Sequence, residues 1–370
     1  MKLLMISGDN SVAQGKKGAF YHTLAELHQH WERIDILCPR AAQTVNCLFG
    51  HVFIHCAPDA KIWQWRFIRQ KGQELFGRER FDVMAVQSYP PFYNDLGAWL
   101  LKRKINIPYL LEIHHIIGYP RAADLKERLY FWLGKFLWRF LTRPAAAVRV
   151  VNQKQAPDFL SRHGVPWGKI KYIPSAYLDL SVFQPRAVEK KYDLVLAARL
   201  EKNKGILNLL KAVKIAKKQK PNLTLLLIGE GGQKLKLQKY VANNNLAANV
   251  IFAGWVATVQ KLALAYNRSR IFINPSLNEG GPRVLLEAMA CGLPALSTKV
   301  GLAPELIKDG ENGFLFDWSP RAMADKINKL LKRSDLPEIG ERARLAVRSF
   351  DRQKTIPNYA QEIKKLALKN

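Results

Sequence analysis

The sequence predicts an α/β protein of two doubly wound, parallel-sheet domains in tandem. Three observations carry this. Apolar runs of about 4–8 residues alternate with helical stretches of about 10–15, the pattern of parallel strands covered on both faces. The alternation breaks once, in the polar, proline-containing segment 182–191 (VFQPRAVEKK), and then restarts. The length of 370 residues suits two domains, and 48% hydrophobic residues can fill two cores.

In chain order, residues 2–7 (KLLMIS) read as the first strand, followed by a glycine-bearing loop and a helix over 19–30. Strands are expected at 33–37, 51–55, 82–87, 108–113, 146–151 and 169–173, with helices at 61–76, 96–104, 124–142 and 153–163. After the break, strands fall at 193–198, 223–228, 250–253, 271–274, 295–298 and 313–316. Helices fall at 206–218, 282–291, 320–332, 338–348 and 353–368. The helix at 282–291 has Pro282 in its first turn and Gly292 just past its end.

No apolar run reaches the ~18 residues of a membrane helix. The apolar stretch at the N-terminus is too short for a signal peptide. Cys38, Cys47, Cys56 and Cys291 form no C-x-x-C pair, so a reduced, cytoplasmic compartment is expected. The net charge is +28, from 58 basic and 30 acidic residues. It is spread over both halves: 25 basic against 14 acidic up to residue 185, and 33 against 16 beyond it. A nucleic-acid partner, an anionic membrane or a merely solvated basic surface would each suit such a charge.

The densest chemistry lies in 274–294 (NPSLNEGGPRVLLEAMACGLP). It reads as a strand end, a glycine turn and a helix N-terminus, where free N–H groups and the helix dipole favour anions. Glu279 sits in the turn and Glu287 inside the helix, and a pair of carboxylates suits the hydroxyls of a sugar or ribose. Upstream, Arg199 closes a strand and Lys204 opens a helix beside Gly205 (ARLEKNKG), so both cations belong at the carboxyl edge of the sheet.

With the strand before it and the helix EAMACGLP after it, the E-x7-E pair Glu279 and Glu287 resembles the retaining GT-B glycosyltransferases of family 4. The segment 198–205 resembles that family's R-L-x-x-x-K-G. The resemblance spans the chain and is strongest over 190–316. It implies two Rossmann-like domains facing a cleft. Residues 1–182 would bind the acceptor, and 183–352 the nucleotide-sugar donor, a UDP- or GDP-sugar. The last helix, 353–370, would pack back on the first domain. Arg199 and Lys204 would neutralise the leaving diphosphate. Glu287 would bind the ribose, Glu279 the transferred sugar, and the backbone at Gly280 and Gly281 would lie against sugar and phosphate. His114, with His115 as its rival, would reach the donor from the strand end at 113. Gly15 and Gly18, in the loop after the first strand, would approach the phosphates and the acceptor. Two departures stand out: Gly281 replaces an aromatic residue of the family, and Ser175-Ala176 replaces Asn-Gly.

No metal or other cofactor is expected, since D-x-D, H-E-x-x-H, zinc-ligand spacing and the Walker motif are absent from the sequence. The expected reaction is sugar transfer to an acceptor hydroxyl with retention, in cell-surface polysaccharide or glycolipid synthesis. Two other readings stay open: a GT-B-like nucleotide-sugar epimerase, and a basic, non-catalytic nucleic-acid-binding protein. Two stretches, 61–69 and 126–143, interleave aromatic and basic residues. Taken singly, each reads as an aromatic stripe packed on the sheet with snorkelling cations. Taken with the charge, they predict docking on an anionic membrane at its cytoplasmic face, where a lipid-linked acceptor would be met, with no nucleic-acid partner.

Overall fold

In a computed structural model, residues 1–42, 44–175 and 177–368 are described. Ala176, of the Ser175-Ala176 departure, lies outside the described residues, as do positions 369 and 370 of the last expected helix. The chain divides into two compact units. Unit 1 comprises Met1–Ile116, Trp132–Tyr177 and Gln353–Asn370, and unit 2 comprises Ile117–Phe131 and Leu178–Arg352.

Unit 1 holds strands β1 (Lys2–Ile6), β2 (Arg33–Cys38), β3 (Cys47–Leu48), β4 (Val52–Cys56), β5 (Val83–Gln87), β6 (Tyr109–Ile113), β7 (Ala147–Val150) and β8 (Ile170–Tyr172). They form one sheet in the order β3-β4-β2-β1-β5-β6-β7-β8, parallel except for β3 against β4. Leu3, Leu4, Met5 and Ile6 in central β1 are all buried, as a strand covered on both faces requires. One layer contains α2 (Gln64–Glu79) and α3 (Tyr93–Ile105), which follow α1 (Ala19–Leu27) in the chain. A Cβ on Gly72 would lie 2.4 Å from Leu101, and one on Gly97 2.8 Å from Ile68, so the two helices approach to the limit that glycine allows. The other layer contains α1, whose Leu24 and Leu27 share a core with Ile356, Tyr359 and Ile363.

Two further helices, α4 (Leu125–Leu141) and α5 (Gln155–Arg162), lie between β6 and β8 in the chain. The stretch 61–69 begins as a 3-10 turn, Lys61–Trp63, and only then becomes α2. In α2, Trp65 and Phe67 are half-buried. In α4 Trp138 packs inward, but Trp132, Phe136 and Phe140 are exposed. The single-helix reading of 126–143 is thereby corrected for these three aromatics.

Unit 2 holds β9 (Tyr192–Ala197), β10 (Leu225–Ile228), β11 (Val250–Gly254), β12 (Ser269–Asn274), β13 (Ala295–Thr298) and β14 (Gly313–Phe316). Their order is β11-β10-β9-β12-β13-β14, all parallel. The helices are α6 (Ile206–Ala216), α7 (Lys234–Asn243), α8 (Val259–Asn267), α9 (Arg283–Ala290), α10 (Ala303–Leu306), α11 (Pro320–Leu331) and α12 (Leu336–Ala346). The last helix, α13, covers Arg352–Ala367. Helices α7 and α8 were not expected from the sequence. In α7 only Leu237 and Val241 are buried, one i, i+4 pair in a lysine-rich segment, too thin a stripe to register as periodic.

Candidate functional site in unit 2

The carboxyl ends of β9, β12, β13 and β14 are neighbours along one sheet edge, and the loops that leave them make the site. Past β9 and β10 the two loops run side by side: Leu200 N–H donates to the Glu230 carbonyl at 2.8 Å. A Cβ on Gly229 would fall 2.0 Å from the Ala198 oxygen, which is why the second loop needs glycine there. Arg199 stands on this doubled loop. It is exposed, and its guanidinium has no partner among the described residues.

The chain then makes a 3-10 turn, Lys202–Lys204, and enters α6 through Gly205 at φ +63°. A Cβ at Gly205 would lie 2.1 Å from the Pro275 carbonyl oxygen. Conformation and close approach both demand glycine, and together they press the Lys204 turn against the loop after β12. Leu277 N–H donates to the Asn203 carbonyl at 2.8 Å across the same seam.

Lys204 Nζ sits 2.8 Å from Glu279 Oε1, with side chains 14% and 11% exposed. Ser276 Oγ is 2.6 Å from that same carboxylate oxygen and 2.7 Å from Asn274 Oδ1. Its single hydrogen can serve only one of them, and the carboxylate is the stronger acceptor. The Ser276 carbonyl in turn accepts from Thr298 Oγ1 at 2.7 Å and from Trp318 Nε1 at 2.9 Å. Residues from four strand ends thus fix Glu279, while its Oε2 has no partner among the described residues. The Gly280 carbonyl accepts from Leu302 N–H at 2.9 Å, and a Cβ on Gly301 would lie 2.0 Å from that carbonyl oxygen. Gly281, just before Pro282 and α9, is half-buried.

Glu287, in the second turn of α9, is buried. Arg283 Nε donates to its Oε1 at 2.9 Å, and Tyr266 Oη approaches its Oε2 at 3.4 Å. Burial pushes the Glu287 carboxyl above its ordinary range although Arg283 opposes it. The two members of the E-x7-E pair therefore share no partner among the described residues: Glu279 belongs to Lys204 and Ser276, Glu287 to Arg283 and Tyr266.

Asn278 escaped the sequence reading. It is buried, and its Nδ2 donates to the Arg121 carbonyl at 2.7 Å and to Glu127 Oε2 at 2.8 Å. Glu127 also accepts from Ala123 N–H at 2.7 Å, and Asp124 Oδ1 takes the Glu127 N–H at 3.0 Å, a variant of the capping box at the start of α4. The D-x-x-E spacing at 124–127 was the available signal. Nothing in the sequence said that Asn278 would find it.

The remaining expected site residues lie in unit 1. His114, just past β6, has its Nε2 closed off from solvent and 3.7 Å from Glu112 Oε2, while 40% of the side chain stays exposed. Desolvation at that nitrogen outweighs the Glu112 charge and lowers the imidazole to about 4, so it is neutral near pH 7. His115 is the half-buried next residue. In the loop after β1, Gly15 has φ +70°, whereas a Cβ on Gly18 would meet nothing within 4 Å. The glycine this loop needs for space is Gly8, where a Cβ would fall 2.1 Å from the Tyr89 ring. Among the described residues, no three His, Cys, Asp or Glu side chains gather as a metal site.

Two family models match the chain. Glycosyl transferases group 1 covers residues 179–346, and the glycosyl transferase 4-like domain covers 19–176. An uncharacterized glycosyltransferase of Methanocaldococcus jannaschii is 26% identical over 310 residues, 79% of this chain and 78% of that one. Among solved structures, sucrose-phosphate synthase from Thermosynechococcus elongatus superposes with a TM-score of 0.81 at 19% identity, covering 100% of both chains. Anabaena HepE in complex with UDP and glucose superposes with a TM-score of 0.75 at 18% identity, covering 99% of this chain and 100% of that one. At these identities the structural likeness is one of fold, and that fold is GT-B.

Proposed function

This chain belongs to the group 1 glycosyltransferases, and we propose that it moves a hexosyl-type sugar from a UDP- or GDP-sugar to an acceptor hydroxyl with retention of configuration. The observation that carries the reading is the arrangement at the carboxyl edge of the unit 2 sheet. There the chain leaving β9 carries an exposed Arg199 and then a Lys204 that is held, not consumed, by Glu279. Lys204 has three N–H hydrogens and Glu279 takes one, which leaves two for diphosphate oxygens. The UDP found in the Anabaena neighbour supports a nucleotide of this kind.

In this reading the rate comes from stabilising the charge that grows on the diphosphate as the glycosidic bond breaks. Arg199 and Lys204 supply two positive charges, the role a divalent ion would otherwise fill, so activity is expected to survive a chelator. Glu279, fixed through Ser276, accepts from a sugar hydroxyl with its open Oε2, and the Gly280-Gly281 backbone borders the sugar. Glu287 orients the ribose from inside α9, where Arg283 Nε holds its Oε1. His114 serves as a neutral hydrogen-bond donor to the sugar or a phosphate. Gly15 and Gly18 border the phosphates and the acceptor. The acceptor is lipid-linked and is met at the cytoplasmic face of an anionic membrane, in polysaccharide or glycolipid synthesis.

Single-turnover and steady-state assays with Arg199→Ala and Lys204→Ala test the core of this. Each variant should lose about 2–4 kcal/mol of transition-state stabilisation in kcat/KM. UDP or GDP should raise the melting temperature of the wild type more than that of either variant. Near wild-type kcat/KM in both variants removes the donor site from this edge. A new sugar nucleotide formed without acceptor would make the protein an epimerase.

A further inference from the structure

Helix α4 carries two apolar stripes, and the fold uses only one. The inward stripe centres on Gly134 and Trp138. Trp138 is 1% exposed and meets Phe92 and Phe159 edge-on, each at 5.8 Å between centroids. The opposite stripe is Leu129, Trp132, Leu133, Phe136 and Phe140, at the i, i+3, i+4, i+7 spacing of one helix face. Phe136 is 62% exposed, Phe140 54% and Trp132 52%. A contiguous apolar face of this size turned to solvent is uncommon on a soluble protein and marks an interaction surface.

Charge decides what it meets. At about 100° per residue, Arg128, Lys135 and Arg139 fall along one border of the exposed stripe and Lys126 along the other. Lys135 Nζ lies 4.5 Å over the Trp132 ring, and the Arg139 guanidinium 4.4 Å over that of Phe140. The one acid of the helix, Glu127, is engaged by Ala123 N–H and Asn278 on the other side. A second copy of a chain carrying +28 would be repelled from this face, whereas an anionic bilayer offers both an apolar interior and negative headgroups.

We propose that this outer face of α4 is the membrane-docking surface of the protein. The helix lies in the plane of an anionic bilayer, with Trp132, Phe136 and Phe140 at the acyl boundary and the basic borders among the headgroups. The proposal rests on the membrane reading above and names the surface that performs it.

Sedimentation with two kinds of vesicle tests it, phosphatidylcholine alone and phosphatidylcholine with phosphatidylglycerol. The wild type should partition to the second kind and be released by salt. Trp132→Ser/Phe136→Ser and Lys135→Gln/Arg139→Gln should each lower that partition on the order of tenfold or more. Because Trp132, Phe136 and Arg139 are exposed and Lys135 is only half-buried, melting temperature and the UDP-induced shift should not move, which separates lost docking from lost folding. If the wild type binds anionic vesicles and both double variants bind equally well, α4 is not the surface, although the membrane reading survives. If the wild type binds neither vesicle at low salt, both fall. If Trp132→Ser/Phe136→Ser turns a dimer into a monomer by light scattering and leaves vesicle binding intact, the face joins copies of the chain and the proposal is overturned.

Discussion

Lys204 and Glu279 hold each other where little water reaches, so removing either charge leaves the other under-compensated. Glu279→Gln keeps the size and loses the anion, and the expected result is a fall in kcat larger than the change in nucleoside diphosphate affinity. Glu287→Gln should do the reverse. It removes the charge that Arg283 faces in α9 and one of the two acceptor oxygens, so isothermal titration with UDP or GDP should show weaker binding, and equal affinity would end its assignment to the ribose. A third residue gives a pH signature. Asp95 is buried, with Oδ1 accepting from Ser88 Oγ at 2.6 Å and Oδ2 buried without a partner, and desolvation pushes its carboxyl up to about 7. Its folded pKa lies above the unfolded value, so the native state binds the extra proton and stability is lost as pH rises through 7. Asp95→Asn should therefore gain on the wild type between pH 5 and pH 8, on the order of 1–3 kcal/mol. A gap in urea midpoints that is the same at both pH values would contradict this.

At the scale of elements, the strands were legible because burial on both faces writes a continuous apolar run. LTLLLI at 223–228 and LLMI at 3–6 admit few other readings. Helices α7 and α8 were not, since their inner faces are narrow and their outer faces lysine-rich or polar. The site was legible in part. The motifs named Arg199, Lys204, Glu279 and Glu287, but periodicity carries no information on pairing across 75 residues, and so Lys204 on Glu279 came only from the fold, whereas Arg283 on Glu287 is an i, i+4 pair that helix spacing allows. The aromatic and basic make-up of 126–143 was legible, but not which of its stripes faces outward: a sequence shows that a helix is amphipathic, not which stripe its sheet will take. Gly205 offers the cleanest test of how an element positions the site. With φ +63° and the Pro275 oxygen only 2.1 Å from where a Cβ would stand, Gly205→Ala must move the Lys204 turn or the loop after β12. The expected outcome is a loss of donor binding comparable to that of Lys204→Ala, with a destabilisation of about 1–3 kcal/mol. Wild-type donor affinity in this variant would show that the turn does not need its present position.

Across the whole molecule, one buried ion pair joins distant parts of the chain in unit 1. Arg149 Nη1 lies 2.6 Å from Glu112 Oε1, with both side chains almost fully enclosed. The remaining Arg149 donors reach the Ile173 carbonyl at 3.0 Å, the Pro174 carbonyl at 2.6 Å and Tyr177 Oη at 2.8 Å. From α13, Tyr359 donates its hydroxyl to Glu112 Oε1 at 2.8 Å, and its ring lies 4.0 Å from the guanidinium carbon of Arg149. A buried pair is weak evidence for net stability, because desolvation offsets much of the attraction, but removing one partner strands the other. Arg149→Met should therefore cost about 3–5 kcal/mol, Tyr359→Phe only about 1 kcal/mol, and Arg149→Met/Glu112→Leu less than Arg149→Met alone. The two units have separate cores, so urea unfolding need not be one transition, and UDP can tell them apart by stabilising the unit that binds it. The loss in Arg149→Met should appear in the transition that UDP does not shift. An equal loss in both transitions would mean that the pair acts beyond unit 1, and a double variant as unstable as Arg149→Met would mean that the cost comes from packing rather than from a stranded carboxylate.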